Sequence, residues 1–271
     1  MLNYIIRPFS VLIKNWELTK QLTVRNVSER YKGSVLGSMW GIINPLLMLS
    51  VYTFFFSVVF NARWGGSGVT DSKAEFAIIL FSGLMLFNFF SECINKAPSL
   101  VLSNVNYVKK IVFPLEILAW VNVLSGIINF LVAFVIWLVF YLAIFGVPHL
   151  TVLLFPFVLL PLFLLLLGLS WLLSSVCVYI RDVGQLIPPL TSVLLFMSPI
   201  FYALKMIPES YRFIFMINPI TPIVEEARQV LIYGESINLI SWGWSMSLSL
   251  CVLYLGYFCF SKFKNGFADV L

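Results

Sequence analysis

Two carboxylates, Glu92 and Glu116, stand closest to the long apolar stretches of this 271-residue chain. What surrounds them decides which chemistry is open to it. Acid–base work within a membrane needs ionisable groups at depth, opposed in pairs or backed by a partner. Both carboxylates instead fall near the ends of apolar runs, where a side chain reaches water by snorkelling. His149, the single histidine, lies in a Gly-Val-Pro-His turn with no ligand partner nearby and reads as a solvated loop residue. Cys93, Cys177, Cys251 and Cys259 have no paired spacing and lie in or beside apolar runs, so they read as packing residues rather than a disulfide framework or zinc site. There is no Ser/His/Asp set, so no catalytic or metal residue is assigned. The phosphate loop G-x-x-x-x-G-K-[ST] is also missing, so ATP-driven work would need a partner chain.

The remaining polar residues gather in patches. Glu29, Arg30 and Lys32 sit within four residues, preceded by Arg25, and no further Asp, Glu, Lys or Arg follows until Arg63. Lys109–Lys110, Arg181–Asp182 and Glu225–Glu226 with Arg228 form three more. Tyr52, Phe55, Phe56 and Phe60 fall at i, i+3, i+4 and i+8, one face of a helix. Such a row suits a sugar-stacking channel wall or ordinary packing against lipid and neighbouring helices, and the pattern leaves both open.

The elements that hold these residues follow from composition. The chain is 61% hydrophobic and 11% charged, against about 25% charged residues in soluble domains, which excludes a water-solvated globule. Its apolar runs are long and do not alternate, which selects membrane helices over a barrel of about 10-residue strands. The apolar runs 35–60, 76–94 (with Glu92 near its end), 183–204 and 236–261 give four spans, and residues 117–180 give two more, divided by the turn at Gly146–His149. This is an all-α polytopic membrane protein with six transmembrane helices. Twelve of the 17 Lys and Arg residues fall on the side of the termini, which makes that side cytoplasmic and accounts for the net charge of +5 without nucleic acid.

Two segments are not plain loops. Residues 9–31 carry Phe9, Leu12, Ile13, Trp16, Val24 and Val27 at helical spacing, the pattern of an amphipathic helix in the interface, although Lys20 interrupts the stripe. Gly33 then supplies the dihedral freedom for an elbow into the first span. Residues 1–34 are thus an N-terminal arm and 35–271 the transmembrane domain. Between spans five and six, residues 205–235 hold two short external helices. Pro208 opens one that stops before Asn218-Pro219; Thr221-Pro222 caps the other, and Gly234 ends it. They form either a plug that stabilises the fold or a lid on a pathway.

Five stretches in register then resemble a known family. "LTVRNVSERYKGSVLGSMWGIINPLLML" (22–49), "SNVNYVKKIVFPLEIL" (103–118), "YIRDVGQLIPPL" (179–190), "NPITPIVEEARQVL" (218–231) and the tail "FADVL" (267–271) are similar to the inner-membrane permeases of ABC exporters for bacterial surface polysaccharides. The O-antigen permeases of the Wzm type are the nearest likeness, with teichoic acid and capsule permeases sharing most features.

The resemblance implies a homodimeric pore served by two separate ATPase subunits, with ATP and Mg bound there and no cofactor in this chain. It implies export of polyprenyl-diphosphate-linked polysaccharide across the bacterial inner membrane, as in lipopolysaccharide biosynthesis. Within it, Tyr52, Phe55, Phe56 and Phe60 would line the channel, and Arg25, Arg30 and Lys32 would meet the lipid diphosphate. Lys109, Lys110, Arg181 and Asp182 would couple to the ATPase, although the last two are equally an ordinary helix-end charge pair. Glu225, Glu226 and Arg228 would stand at the rim of the external gate, or on a solvated helix face. The alternatives are a permease for a small lipid or drug and, from another class, a membrane enzyme of glycan assembly acting without an ATPase.

Overall fold

A computed structural model describes residues 2–55, 73–109 and 113–271, and among them every regular element is helical. The N-terminal arm is two helices, α1 (Leu2–Lys14) and α2 (Trp16–Tyr31), followed by a 3₁₀ turn (Gly37–Met39) and α3 (Trp40–Thr53). Next come α4 (Lys73–Lys96), the short α5 (Ser99–Leu102) and α6 (Val105–Val108), then α7 (Ile117–Ile144). A 3₁₀ segment (Leu150–Leu154) leads into α8 (Phe155–Tyr179), and α9 (Asp182–Phe196) follows. The chain closes with α10 (Glu209–Ile217), α11 (Ile220–Arg228) continued by a π turn (Gln229–Tyr233), α12 (Leu239–Phe263) and α13 (Phe267–Val270).

Four segments are long and apolar enough to cross a membrane: Lys73–Lys96, Ile117–Ile144, Leu150–Tyr179 and Leu239–Val270. The chain is an integral membrane protein. Two expected spans are shorter. The α3 helix ends at Thr53, close to the edge of the described residues, and α9 has 15 residues where the sequence suggests a run to Leu204. The reason lies at Ser198-Pro199. The Ser198 hydroxyl donates to Leu194 O at 2.7 Å, and Pro199 brings no N–H with which to continue the helix. The chain turns there and buries Ile200 and Phe201.

The core forms where α4 threads between α7, α8, α9 and α11. Among its buried side chains are Phe81, Met85, Phe89 and Phe90, while α7 leaves Leu131, Val135 and Val139 exposed for lipid. On α8 and α12, Gly168 and Gly256 let two backbones touch. A Cβ on Gly256 would run into the Gly168 carbonyl oxygen, so only glycine closes this seam.

Both termini meet at one end of the bundle. Trp120 Nε1 of α7 donates to Pro8 O at 3.2 Å, Lys264 pairs with Glu116, and Tyr179 donates to Phe263 O at 3.0 Å. Glu116 is therefore buried and ion-paired rather than snorkelling to water. The turn at Gly146, with φ +80°, marks the opposite end, where the His149 ring packs on Gly234.

The arm differs from the expected single helix. It starts at Leu2 and breaks at Asn15, and the face of α2 turned to α7 carries Thr19 and Thr23, both buried. Threonine tolerates this because each hydroxyl donates to its own helix, to Asn15 O at 2.9 Å and Thr19 O at 2.8 Å. Ile13, Trp16 and Val24 of the apolar stripe are exposed, on the side where an interfacial helix meets lipid. Gly33, with φ +84°, makes the elbow.

Candidate functional site

Asn88, Glu92 and Lys96 fall at i, i+4 and i+8 on α4, a polar stripe along one face of an otherwise apolar span. Where that stripe meets α2, α3 and α7 the structure opens a cavity of about 380 Å³. Glu92 is its charged centre. Its carboxylate pairs with Arg30 from the end of α2 and accepts from Lys96 Nζ at 3.3 Å. Asn129 of α7 donates to both carboxylate oxygens at 3.0 Å. Trp40, Asn44 and Pro45 of α3 supply the facing wall.

Sequence reasoning missed this group because it treated Glu92 alone, as a helix-end carboxylate. The signal was there in the four-residue spacing of polar residues through α4. Arg30 and Lys96 together with Glu92 carry one net positive charge, and the carboxylate stands between the cations. The arrangement holds hydrogen-bonding groups in fixed places and contains no nucleophile–base pair.

The expected site residues scatter over both ends. Arg25 is exposed and donates to Glu29 at 2.7 Å, a bond that holds its guanidinium above the ordinary value. Lys32 is exposed, so of the three expected diphosphate contacts only Arg30 reaches the cavity. Tyr52 packs on Phe201 with ring centroids 5.3 Å apart, and Phe55 is exposed beside Phe54. Phe56, Phe60 and Lys110 lie outside the described residues.

Lys109 closes α6 and is exposed; Arg181 and Asp182 are exposed at the start of α9, where the acid suits the helix dipole. Nearby, Leu22, Arg25 and Glu29 of α2 and Asn104 and Tyr107 of the α5–α6 hairpin line a smaller cavity of about 80 Å³.

At the opposite end, Glu226 and Arg228 are buried, which corrects the alternative of a solvated helix face. Arg228 is 1% exposed. Its guanidinium donates to the carbonyl of Pro199, to Ile200 O at 3.0 Å and to Glu225 Oε1 at 3.2 Å, and it lies against Gly83 of α4. Glu226 is buried and accepts from Asn238 N at 3.1 Å; burial pushes its carboxyl above the usual range. Only Glu225 keeps partial contact with solvent.

The start of α11 is corrected as well. The helix begins at Ile220, two residues earlier than a Thr221 cap requires, because the Asn218 side chain accepts from Ile220 N at 3.1 Å. Asn218 also donates to Ser198 Oγ at 2.8 Å, tying α11 to the α9 turn that Arg228 grips.

Comparison with known proteins adds a family match and three relatives. Residues 17–232 match the family model described as ABC-2 type transporter. The O-antigen export system permease protein RfbA of Klebsiella pneumoniae is 26% identical over 259 residues, 94% of this chain and 95% of that one. Its namesake in Myxococcus xanthus is 28% identical over 205 residues, 75% of each chain. The polysialic acid transport protein KpsM of Escherichia coli is 23% identical, covering 87% of this chain and 89% of its own.

Proposed function

The chain belongs to the ABC-2 type transporter family, and from that premise we propose that it is the permease subunit of an ATP-driven polysaccharide exporter. Its cargo is a polyprenyl-diphosphate-linked glycan, O-antigen first, carried across the bacterial inner membrane through a pore shared with a second copy of the chain. The observation that carries this reading is similarity along nearly the whole chain to permeases named for O-antigen export. The likeness to a polysialic acid transporter supports a second cargo class, another surface polysaccharide.

The physical case runs through surfaces. A long polar glycan needs a shielded path across hydrocarbon. The α3 helix has no buried residue and α9 only Ile187 and Thr191, while Val51 and Phe55 of one and Leu186, Val193 and Phe196 of the other are exposed. Helices so poorly covered in one protomer are those that a second copy would pack against, and Tyr52, the first residue of the aromatic row, lies on α3. In this reading the chain makes six crossings, and both termini lie on the basic, cytoplasmic side.

Energy comes from two ATPase subunits that hold ATP and Mg. Lys109, Lys110, Arg181 and Asp182, with the exposed face of α2, are the surface on which they act. Nucleotide binding biases the pore between two states by differential affinity. Arg25, Arg30 and Lys32 attract the diphosphate of the carrier lipid. In the external gate of α10 and α11, Arg228 and Glu225 act from inside by gripping the α9 turn, and Glu226 fastens α11 to the start of α12.

The test is depletion of the chain in its host, with lipid-linked polymer assayed on each face of the inner membrane. Surface glycan should disappear while polymer accumulates inside. Unchanged surface glycan would leave a small-substrate permease as the better account. Polymer that is never made, with carrier lipid present, would point to an assembly enzyme.

A further inference from the structure

The Glu92 cavity has a wall chemistry that the ion pair alone does not explain. Asn44 on α3 and Asn88 on α4 both line it, and among the described residues neither amide has a hydrogen-bond partner. Asn88 lies two helical turns inside the Lys96 end of α4, a depth of about 12 Å. Both side chains are exposed on the cavity wall, and an amide open to a cavity at that depth of a span marks a place where something polar is received. Pro45 adds to the deficit, because it has no N–H to give the Gly41 carbonyl four residues earlier, and both residues line the cavity. Across from these groups the Glu92 carboxylate and the Asn129 amide are already oriented by each other.

We propose that this cavity is a subsite for a neutral sugar ring of the exported chain, its hydroxyls held by Asn44, Asn88, Asn129 and Glu92 and its C–H face laid on Trp40. The proposal rests on the polysaccharide-export reading. Its chemistry follows from the donor set. Sugar hydroxyls donate and accept at once, so they match a wall of amides, which do both, beside a carboxylate, which accepts. A phosphate only accepts, so it offers no donor to the Glu92 carboxylate or to the amide oxygens of the wall. The volume of about 380 Å³ lies in the range of small-ligand pockets, roughly 300–1,000 Å³. The indole supplies the flat apolar surface on which a ring face is buried.

One other source offers the same chemistry, the polyol headgroup of a membrane lipid. The test separates the two. The full-length chain with its ATPase partner is placed in phosphatidylcholine nanodiscs, free of sugar-headed detergent. The probe is the oligosaccharide released by mild acid from the host strain's own lipid-linked polymer, read by saturation-transfer NMR.

Wild type should give a signal that inorganic pyrophosphate does not displace. Trp40→Ala should weaken binding by about tenfold, the scale of one lost stacking partner, and Trp40→Phe should retain most of it. Asn88→Leu, a change that an apolar span accepts, should weaken it as well and serves where Trp40→Ala fails to fold. A missing wild-type signal, or one undiminished in both variants, overturns the proposal. So does displacement by pyrophosphate, which assigns the cavity to phosphate, or by phosphatidylglycerol added to the nanodiscs, which assigns it to a lipid headgroup. Surface glycan in cells depleted of the chain is read alongside. Glycan retained there sinks the export reading itself, whereas lost glycan without oligosaccharide binding sinks the cavity alone.

Discussion

Arg30 and Arg228 both reach from one helix to groups on another, at opposite ends of the molecule, and they are satisfied in opposite ways. Arg228 is 1% exposed and binds backbone carbonyls at the Ser198-Pro199 turn, with Glu225 closing the fork. Carbonyls cannot move aside or ionise, so this is a fixed joint between α11 and the end of α9. Arg30 is a quarter exposed, and its partner is a carboxylate that also serves Lys96 and Asn129 beside an open cavity. Each of those partners can exchange for another, or for a ligand. The same side chain thus makes a rivet where burial is complete and a switchable contact where a cavity adjoins it.

The comparison breaks most sharply at the rivet. Arg228→Met fills similar space but leaves the Pro199 and Ile200 carbonyls without their donor and Glu225 without its cation. Breaking a buried charged contact in this way costs about 3–5 kcal/mol. The variant should lose folded material in detergent, seen as a lowered melting temperature by fluorescence-detected size exclusion. Arg228→Lys should not rescue it, since one ammonium cannot reproduce the planar fork that spans two carbonyls and a carboxylate. A Met variant as stable as wild type would mean that the turn holds itself.

The contact at the other end should be weaker and should show itself in pairs. Glu92→Gln and Arg30→Gln are expected to interact by about 1–2 kcal/mol in a double-mutant cycle on thermal stability. That coupling should shrink with added salt, because water and ions reach the cavity. Export of surface glycan should fall further in Glu92→Gln than its stability loss explains. Equal, salt-insensitive coupling at Arg30 and Arg228 would erase the distinction between the two ends.

What the sequence disclosed follows the same division. The long spans, the Gly33 elbow and the helix opened by Pro208 were legible because hydrophobic period, glycine and proline act locally. The end of α9 was less so, since the charge-free run continues to Leu204 and masks the break that Pro199, with Ser198 bonding back to Leu194, makes in it. The protein-facing side of α2 was not legible, because buried threonines look polar in sequence yet satisfy themselves within the helix. Glu226 and Arg228 were expected at a rim because charge on an amphipathic helix usually means solvent. Their burial depends on carbonyls at Pro199 and Ile200, and no periodicity in α11 records those. The Asn88–Glu92–Lys96 stripe was readable, but its meaning needed Asn129 and Arg30, brought from two other helices.

The finest test of the comparison concerns Glu226, which shares α11 with the rivet yet is a titratable group. Burial holds its folded-state carboxyl above the ordinary range, and Glu225 beside it acts in the same direction, against the Asn238 N–H and Ser241, which favour the charged form. A carboxyl raised on folding binds its proton more tightly in the folded state. Its contribution to stability is therefore complete below the ordinary carboxylate range and is lost as pH rises through the raised value. Glu226→Gln imitates the protonated form, and its amide oxygen still accepts from Asn238 N. The variant should match or slightly exceed wild type in melting temperature at neutral pH, and wild type should regain the difference on acidification. Were Glu226→Gln instead to destabilise the protein at neutral pH, the charged carboxylate would be the form the fold requires. The far end of the molecule would then hold a second ion-dependent joint rather than a rivet beside a neutralised acid.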